Sequence, residues 1–173
     1  MFNWKERLRA AAIHLAISLA VAGLAAALVF GLWYPGAYRE LSGGRELFLL
    51  VVAVDVVMGP LITFAIFNRK KPRTELRRDL AIVGLLQLAA LCYGLWTVYI
   101  ARPVHLVFEY KLFRVVHAIE VPEELLSRTP PGITALPLLG PTNLSLRPFA
   151  NEKEQFDATM GALGGVSLSA RPD

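Results

Sequence analysis

The sequence predicts a mainly α membrane protein: a three-transmembrane-helix bundle followed by a small mixed α/β periplasmic C-terminal region. Three observations carry this. Apolar residues make up 55% of the 173-residue chain and charged ones 18%, with a mean hydropathy of +0.48, which is more apolar than a packed soluble domain requires. Three apolar runs, at about 10–33, 47–67 and 80–100, are each long enough for a helix to cross a hydrocarbon core of about 30 Å. The basic residues crowd beside those runs. The formal net charge of +4 is therefore a topology signal. Nucleic-acid binding is not indicated, because no aromatic-basic pattern accompanies it.

The first run follows a short basic start with Lys5, Arg7 and Arg9. It exceeds the ~7–15-residue core of a secretory signal and ends in bulky FGLWYPG, so it reads as a span. Trp33 and Tyr34 suit the membrane interface, and Pro35-Gly36 stops the helix. The link to Glu46 is short and charge-balanced.

The second run, VVAVDVVMGPLITFAIFN, holds a carboxylic acid, Asp55, and a Gly59-Pro60 pair. An acid at the centre of a spanning helix costs roughly 2.5–3.5 kcal/mol and each large aliphatic or Phe returns about 0.3–0.6 kcal/mol, so the run still inserts. Pro60 has no N–H for the carbonyl of Val56, which predicts a kink or opening beside Asp55. Asp55, Gly59 and Thr63 recur every four residues and so share one face. The basic loop that follows contains Arg69, Lys70, Lys71, Arg73, Arg77 and Arg78. It sets topology, with anionic headgroup binding as the other reading. The third run has Gly84, Gln87 and Gly94 on one side and Trp96 and Tyr99 near its end. His14, Ser18 and Ala22 align on the first. Counting 1.5 Å per residue brings Ser18 and Gln87 to similar depth, with Asp55 further out. This polar seam either joins the three helices, with Gln87 or Ser18 donating to Asp55, or faces a partner helix in the bilayer. Ion or proton translocation is a thinner third reading. The positive-inside count places the N-terminus and the basic loop in the cytoplasm.

Residues 101–173 differ in character. Val104–Tyr110 and Arg114–Val121 are β-branched and aromatic, predicting two strands, and 122–128 a helical turn. The stretch 129–148, rich in proline, predicts an extended loop without regular structure. Asn151 to Glu154 resembles an N-cap with a capping-box glutamate, opening an amphipathic helix with Phe156, Met160 and Leu163. A region this small is expected to lean on the membrane or on a partner.

No catalytic signature is present. There is no HExxH, CxxC, nucleophile elbow or phosphate loop, and His14, His105 and His117 lack metal-ligand spacing. Cys92 is the single cysteine. Neither an enzyme nor a cofactor or metal is indicated.

The WYPG closing the first run, VDVVMGPLITFAIFN, KPRTELRRDLAIVGLLQLAALCYGLWTVY and RPVHLVF together resemble the type IV pilin accessory proteins of the TfpX/TfpZ type, over roughly 10–148 including LPLLGP. The resemblance implies a small inner-membrane protein that serves a particular pilin as a chaperone in type IV pilus assembly. It implies no catalytic residues; members of this type usually continue past the last helix, whereas this chain stops at Asp173, which leaves both a truncated chain and a short homologue open. A type IV pilin is a hydrophobic helix carrying a periplasmic head. A chaperone for it needs a helix-binding face in the membrane, for which Asp55, Gly59, Pro60, Thr63 and Gln87 are the candidates, and an outer docking surface. The alternatives are a transporter or channel subunit with Asp55 and Gln87 as a polar path, and a scaffold that binds a soluble partner through 69–78. The oligomeric state is left open.

Overall fold

The computed structural model describes residues 4–173; the first three residues of the basic start lie outside it. The fold class is the expected one, with three long apolar helices and then a small mixed sheet. The helices are α1 (Trp4–Leu28, continued by a π-helical turn Val29–Trp33), the short α2 (Tyr38–Leu41), α3 (Gly44–Ile66) and α4 (Arg73–Ile100). All three long helices are apolar and long enough to span a bilayer. The chain divides into two compact units, one of residues up to Val29 with Arg45–Val98, the other of Phe30–Gly44 with Tyr99–Asp173.

In the helical unit the buried set is small: Ala25, Val29, Phe48, Thr63, Val83 and Val98 among the side chains. Large residues such as Leu24, Leu85 and Leu86 point outward. A surface so apolar is unstable in water and suited to lipid. Lipid supplies no hydrophobic drive between helices, so their approach depends on small residues. A Cβ on Gly94 would overlap the Val51 side chain, and one on Gly59 would overlap Gln87. Both glycines mark where α3 and α4 meet.

One end of this unit is closed by polar contacts. Arg7 donates to the Phe64 and Ala65 carbonyls at 3.2 and 2.8 Å. These belong to the last turn of α3, whose carbonyls have no helical donor and carry the negative end of the dipole. Arg69 pairs with Glu6 at 3.1 Å, and Lys71 pairs with Glu75 and Asp79 at 3.2 and 2.7 Å.

The second unit is built on a three-stranded sheet of order β2-β1-β3. The two expected strands, β1 (Pro103–Glu109) and β2 (Leu112–His117), pair as an antiparallel hairpin that turns through Tyr110-Lys111, with Tyr110 in the left-handed region at φ 54; β2 begins earlier than expected and stops at His117, because Ala118–Glu120 turn into a 3-10 helix. The third strand, β3 (Thr142–Ser145), pairs parallel to β1. It falls in the stretch expected to have no regular structure. Its four residues show no apolar alternation, so backbone pairing to β1 is what defines it. Val104, Val107, Val116, Val121 and Ala170 form the core, with Leu126, Leu136, Leu144 and Leu146 against it.

Helix α5 (Glu152–Leu163) starts at Asn151, whose side chain accepts from the Glu154 amide at 2.8 Å. The Glu154 carboxylate accepts from the Ala150 amide, one residue before the cap. The apolar stripe of this helix is not in the core: Phe156, Met160 and Leu163 are exposed and Ala158 is the residue buried.

Candidate functional site

In the helical unit, α1, α3 and α4 surround a cavity of about 180 Å³ lined by His14, Ser18, Ala22, Asp55, Gly84 and Gln87, among others. The three polar seams read from helical spacing thus converge on one space. Ile17 and Leu88, also in its lining, are more than half exposed, so the cavity opens at the bundle surface.

The hydrogen bonding within it differs from the simple expectation. Gln87 donates from Nε2 to the main-chain carbonyl of Asp55 at 3.0 Å, rather than to its carboxylate. That carbonyl lies one residue before Val56, the residue whose carbonyl Pro60 leaves without its usual donor. Gly59 makes room for the Gln87 side chain, and Pro60 sits within a continuous α3. Gln87 Oε1 is buried, and among the described residues it has no hydrogen-bond partner. Among the described residues no hydrogen bond reaches the Asp55 carboxylate either. Thr63 is buried and bonded to His14 Nδ1 at 2.5 Å, so it serves the α1–α3 contact and does not line the cavity. In the basic loop, Lys70, Arg73, Arg77 and Arg78 are exposed, while Arg69 and Lys71 are held in the ion pairs described above. Among the described residues no three His, Cys, Asp or Glu side chains are grouped to hold a metal ion.

The second unit has a larger groove, about 550 Å³, between the sheet, α5 and the C-terminal turn. Val107, Leu144, Leu146 and Phe149 give it an apolar floor, and Arg147, Glu154, Arg171 and Asp173 also line it. Arg147 pairs with Glu154 and holds its carboxyl below the ordinary carboxylate range. Arg171 pairs with Asp173 at 2.9 Å. The polar groups of the groove are thus largely satisfied, and its apolar surface is the part free to bind.

His105 is buried at the groove's edge. Its Nε2 lies 2.8 Å from the Ala135 carbonyl and its Nδ1 2.7 Å from Thr142 Oγ1. A carbonyl only accepts, so Nε2 carries the proton and Nδ1 accepts from the threonine hydroxyl. Burial pushes the imidazole below its usual value of 6.5. Folding therefore favours the neutral ring. The stabilisation is fully present above about 6.5, the unfolded value, and is lost as pH falls from there through the lowered folded value. Thermal unfolding should show a loss of stability in that window that His105→Gln lacks; equal pH profiles for both proteins would refute the assignment.

A family profile described as fimbrial assembly protein FimB matches residues 2–43. A fimbrial assembly protein of Dichelobacter nodosus, serogroups C1 and C2, is 41% identical over 104 residues, 60% of this chain and 79% of that relative. The chain belongs to the fimbrial assembly protein family. Two further members from the same organism, of serogroups I and E1, are 34% and 33% identical over 160 residues, 92% of this chain. This chain spans 62% of the length of each of those two. No solved structure matches it. Family membership agrees with the resemblance to type IV pilin accessory proteins drawn from the residue motifs.

Three features of this chain have little signal in its sequence. The Arg7 cap on α3, the His14–Thr63 bond and the His105 bridge to Thr142 and Ala135 each join residues at least thirty positions apart. Helical spacing places His14 and Thr63 on inward faces but does not pair them.

Proposed function

We propose that this protein acts in type IV pilus assembly as a pilin-specific chaperone of the inner membrane, its N-terminus cytoplasmic and its sheet unit periplasmic. The helical surface around the mouth of the cavity docks the pilin's hydrophobic helix, and the apolar groove of the sheet unit takes its head. One observation carries this reading: Asp55 and Gln87 line an open cavity, and among the described residues neither the Asp55 carboxylate nor the buried Gln87 Oε1 has a hydrogen-bond partner. Polar groups without partners are costly in a bilayer, and a polar group on a visiting helix offsets that cost. The family of fimbrial assembly proteins supplies the context, and the three apolar helices supply the membrane.

Photo-crosslinking side chains at Ile17 or Leu88, beside the cavity, should capture the pilin helix in cells that make it. One at Phe149 should capture the head, and one at Leu24, outside the cavity, should capture neither. Asp55→Ala should reduce helix capture by about tenfold, the equivalent of one lost interaction of roughly 1.4 kcal/mol. Asp55→Asn, which still offers a hydrogen bond, should retain part of it. If both variants accumulate and capture the pilin at wild-type efficiency, the cavity is not the helix site.

A further inference from the structure

The loop that precedes β3 and the strand itself carry no Asp, Glu, Lys or Arg from Thr129 to Leu146, in a chain that is 18% charged. The loop is fastened at two points. The Gly140 amide donates to the Leu32 carbonyl at 2.8 Å. Leu32 is in the final turn of the first apolar helix, whose carbonyls lack helical donors. Gly140 has φ +64, and a Cβ there would sit 3.1 Å from Pro35 Cγ, so the contact depends on the missing side chain. At the other point, Arg102 reaches the Pro137 carbonyl at 3.4 Å and the Tyr99 carbonyl at 2.9 Å, with its guanidinium 4.0 Å from the Tyr99 ring centre. Tyr99 in turn packs on Trp33 at 5.2 Å.

Trp33 and Tyr99 have the composition of a membrane–water boundary, with Arg102 buried behind them. They stand where the first and third apolar helices end. Between the two fastened points, Leu138 and Leu139 are 59% and 74% exposed, whereas neighbouring Leu136 packs on the core. Irregular backbone cannot enter the hydrocarbon region without losing hydrogen bonds. Here Pro137 and Pro141 have no N–H, and the Gly140 N–H and Pro137 carbonyl are already bonded.

We propose that Leu138 and Leu139 form a lipid-inserting pair that seats the sheet unit on the bilayer surface where the first span ends. The loop backbone stays at headgroup level and the two leucyl side chains reach the upper acyl region. The occupant is lipid because the loop that carries the pair is fastened to Leu32 and, through Arg102, to Tyr99, the residues at which two apolar helices end, and because no charge within the loop opposes insertion. Seating in this way limits the orientations of the groove relative to the membrane, independently of what the groove binds.

The test uses the full chain with Cys92→Ala, in lipid nanodiscs. A polarity-sensitive fluorophore is attached at Leu138→Cys or Leu139→Cys and, as reference, at Lys153→Cys on the charged start of α5. Both leucine positions should emit to the blue of the reference. They should be quenched several-fold more by lipids spin-labelled near the headgroup than by aqueous iodide, with the order reversed at position 153. Iodide quenching equal to that of the reference would place the pair in water and overturn the proposal. Shielding from both quenchers would do so too, since a second copy or another protein would then cover the loop.

Discussion

Tyr34→Ala is expected to destabilise the protein by about 3–5 kcal/mol, the usual cost of removing a fully buried aromatic ring. Tyr34 has no exposed surface, and its ring occupies the space a Cβ on Gly44 would need. Burial also pushes its phenol up to about 12, against the opposing pull of Arg102, so the hydroxyl is neutral at any pH the protein meets. Tyr34→Phe keeps the ring and is expected to cost far less, on the order of 1 kcal/mol. Gly44→Ala forces its methyl against the ring and should cost about 1–3 kcal/mol in the wild type. In the Tyr34→Ala background the same change should cost almost nothing, because the space is open. Thermal or denaturant unfolding of the four proteins gives the cycle. Additive losses would mean that the ring and the glycine do not touch.

Gly94→Val should separate α3 from α4 and cost about 1–3 kcal/mol from overpacking, exceeding the gain of up to about 1 kcal/mol from removing a helical glycine. The obstacle is Val51, whose β-branched side chain has one strongly preferred rotamer in a helix and cannot swing aside. Gly59→Ala is the informative comparison. There the new methyl meets the end of the Gln87 side chain, which is flexible, so the change sacrifices the bond to the Asp55 carbonyl, about 0.5–1.5 kcal/mol. Val51→Ala should rescue Gly94→Val and leave Gly59→Ala unaffected. If Gly59→Ala is the more damaging of the two, the α3–α4 approach has been misassigned.

Hydrophobicity and spacing made the membrane helices and the polar seam legible. His14, Ser18, Asp55, Gly84 and Gln87 could be placed on facing sides from the 3.6-residue repeat, and they line one cavity. What spacing does not encode is which atom of Asp55 Gln87 chooses. The amide takes the main-chain carbonyl because Gly59 lets it lie close to the backbone. Thr63 shares the repeat with Asp55 and Gly59 yet is bonded to His14. The α5 stripe of Phe156, Met160 and Leu163 has the periodicity of a core-facing helix, but Ala158 faces inward and the stripe is left exposed. Periodicity reports that one face is apolar, not that this chain itself covers it.

By itself the sequence determined the three apolar helices, the β1–β2 hairpin and the capped start of α5, because each rests on interactions between residues near one another in the chain. Only the tertiary structure decided the pairing of β3 with β1, the fastening of Gly140 to Leu32 and of Arg102 to Pro137, and the lack of a partner for Gln87 Oε1 among the described residues. These depend on which backbone groups remain without a donor or acceptor once the helices and hairpin have formed. That is a property of the packed chain and not of any segment of it.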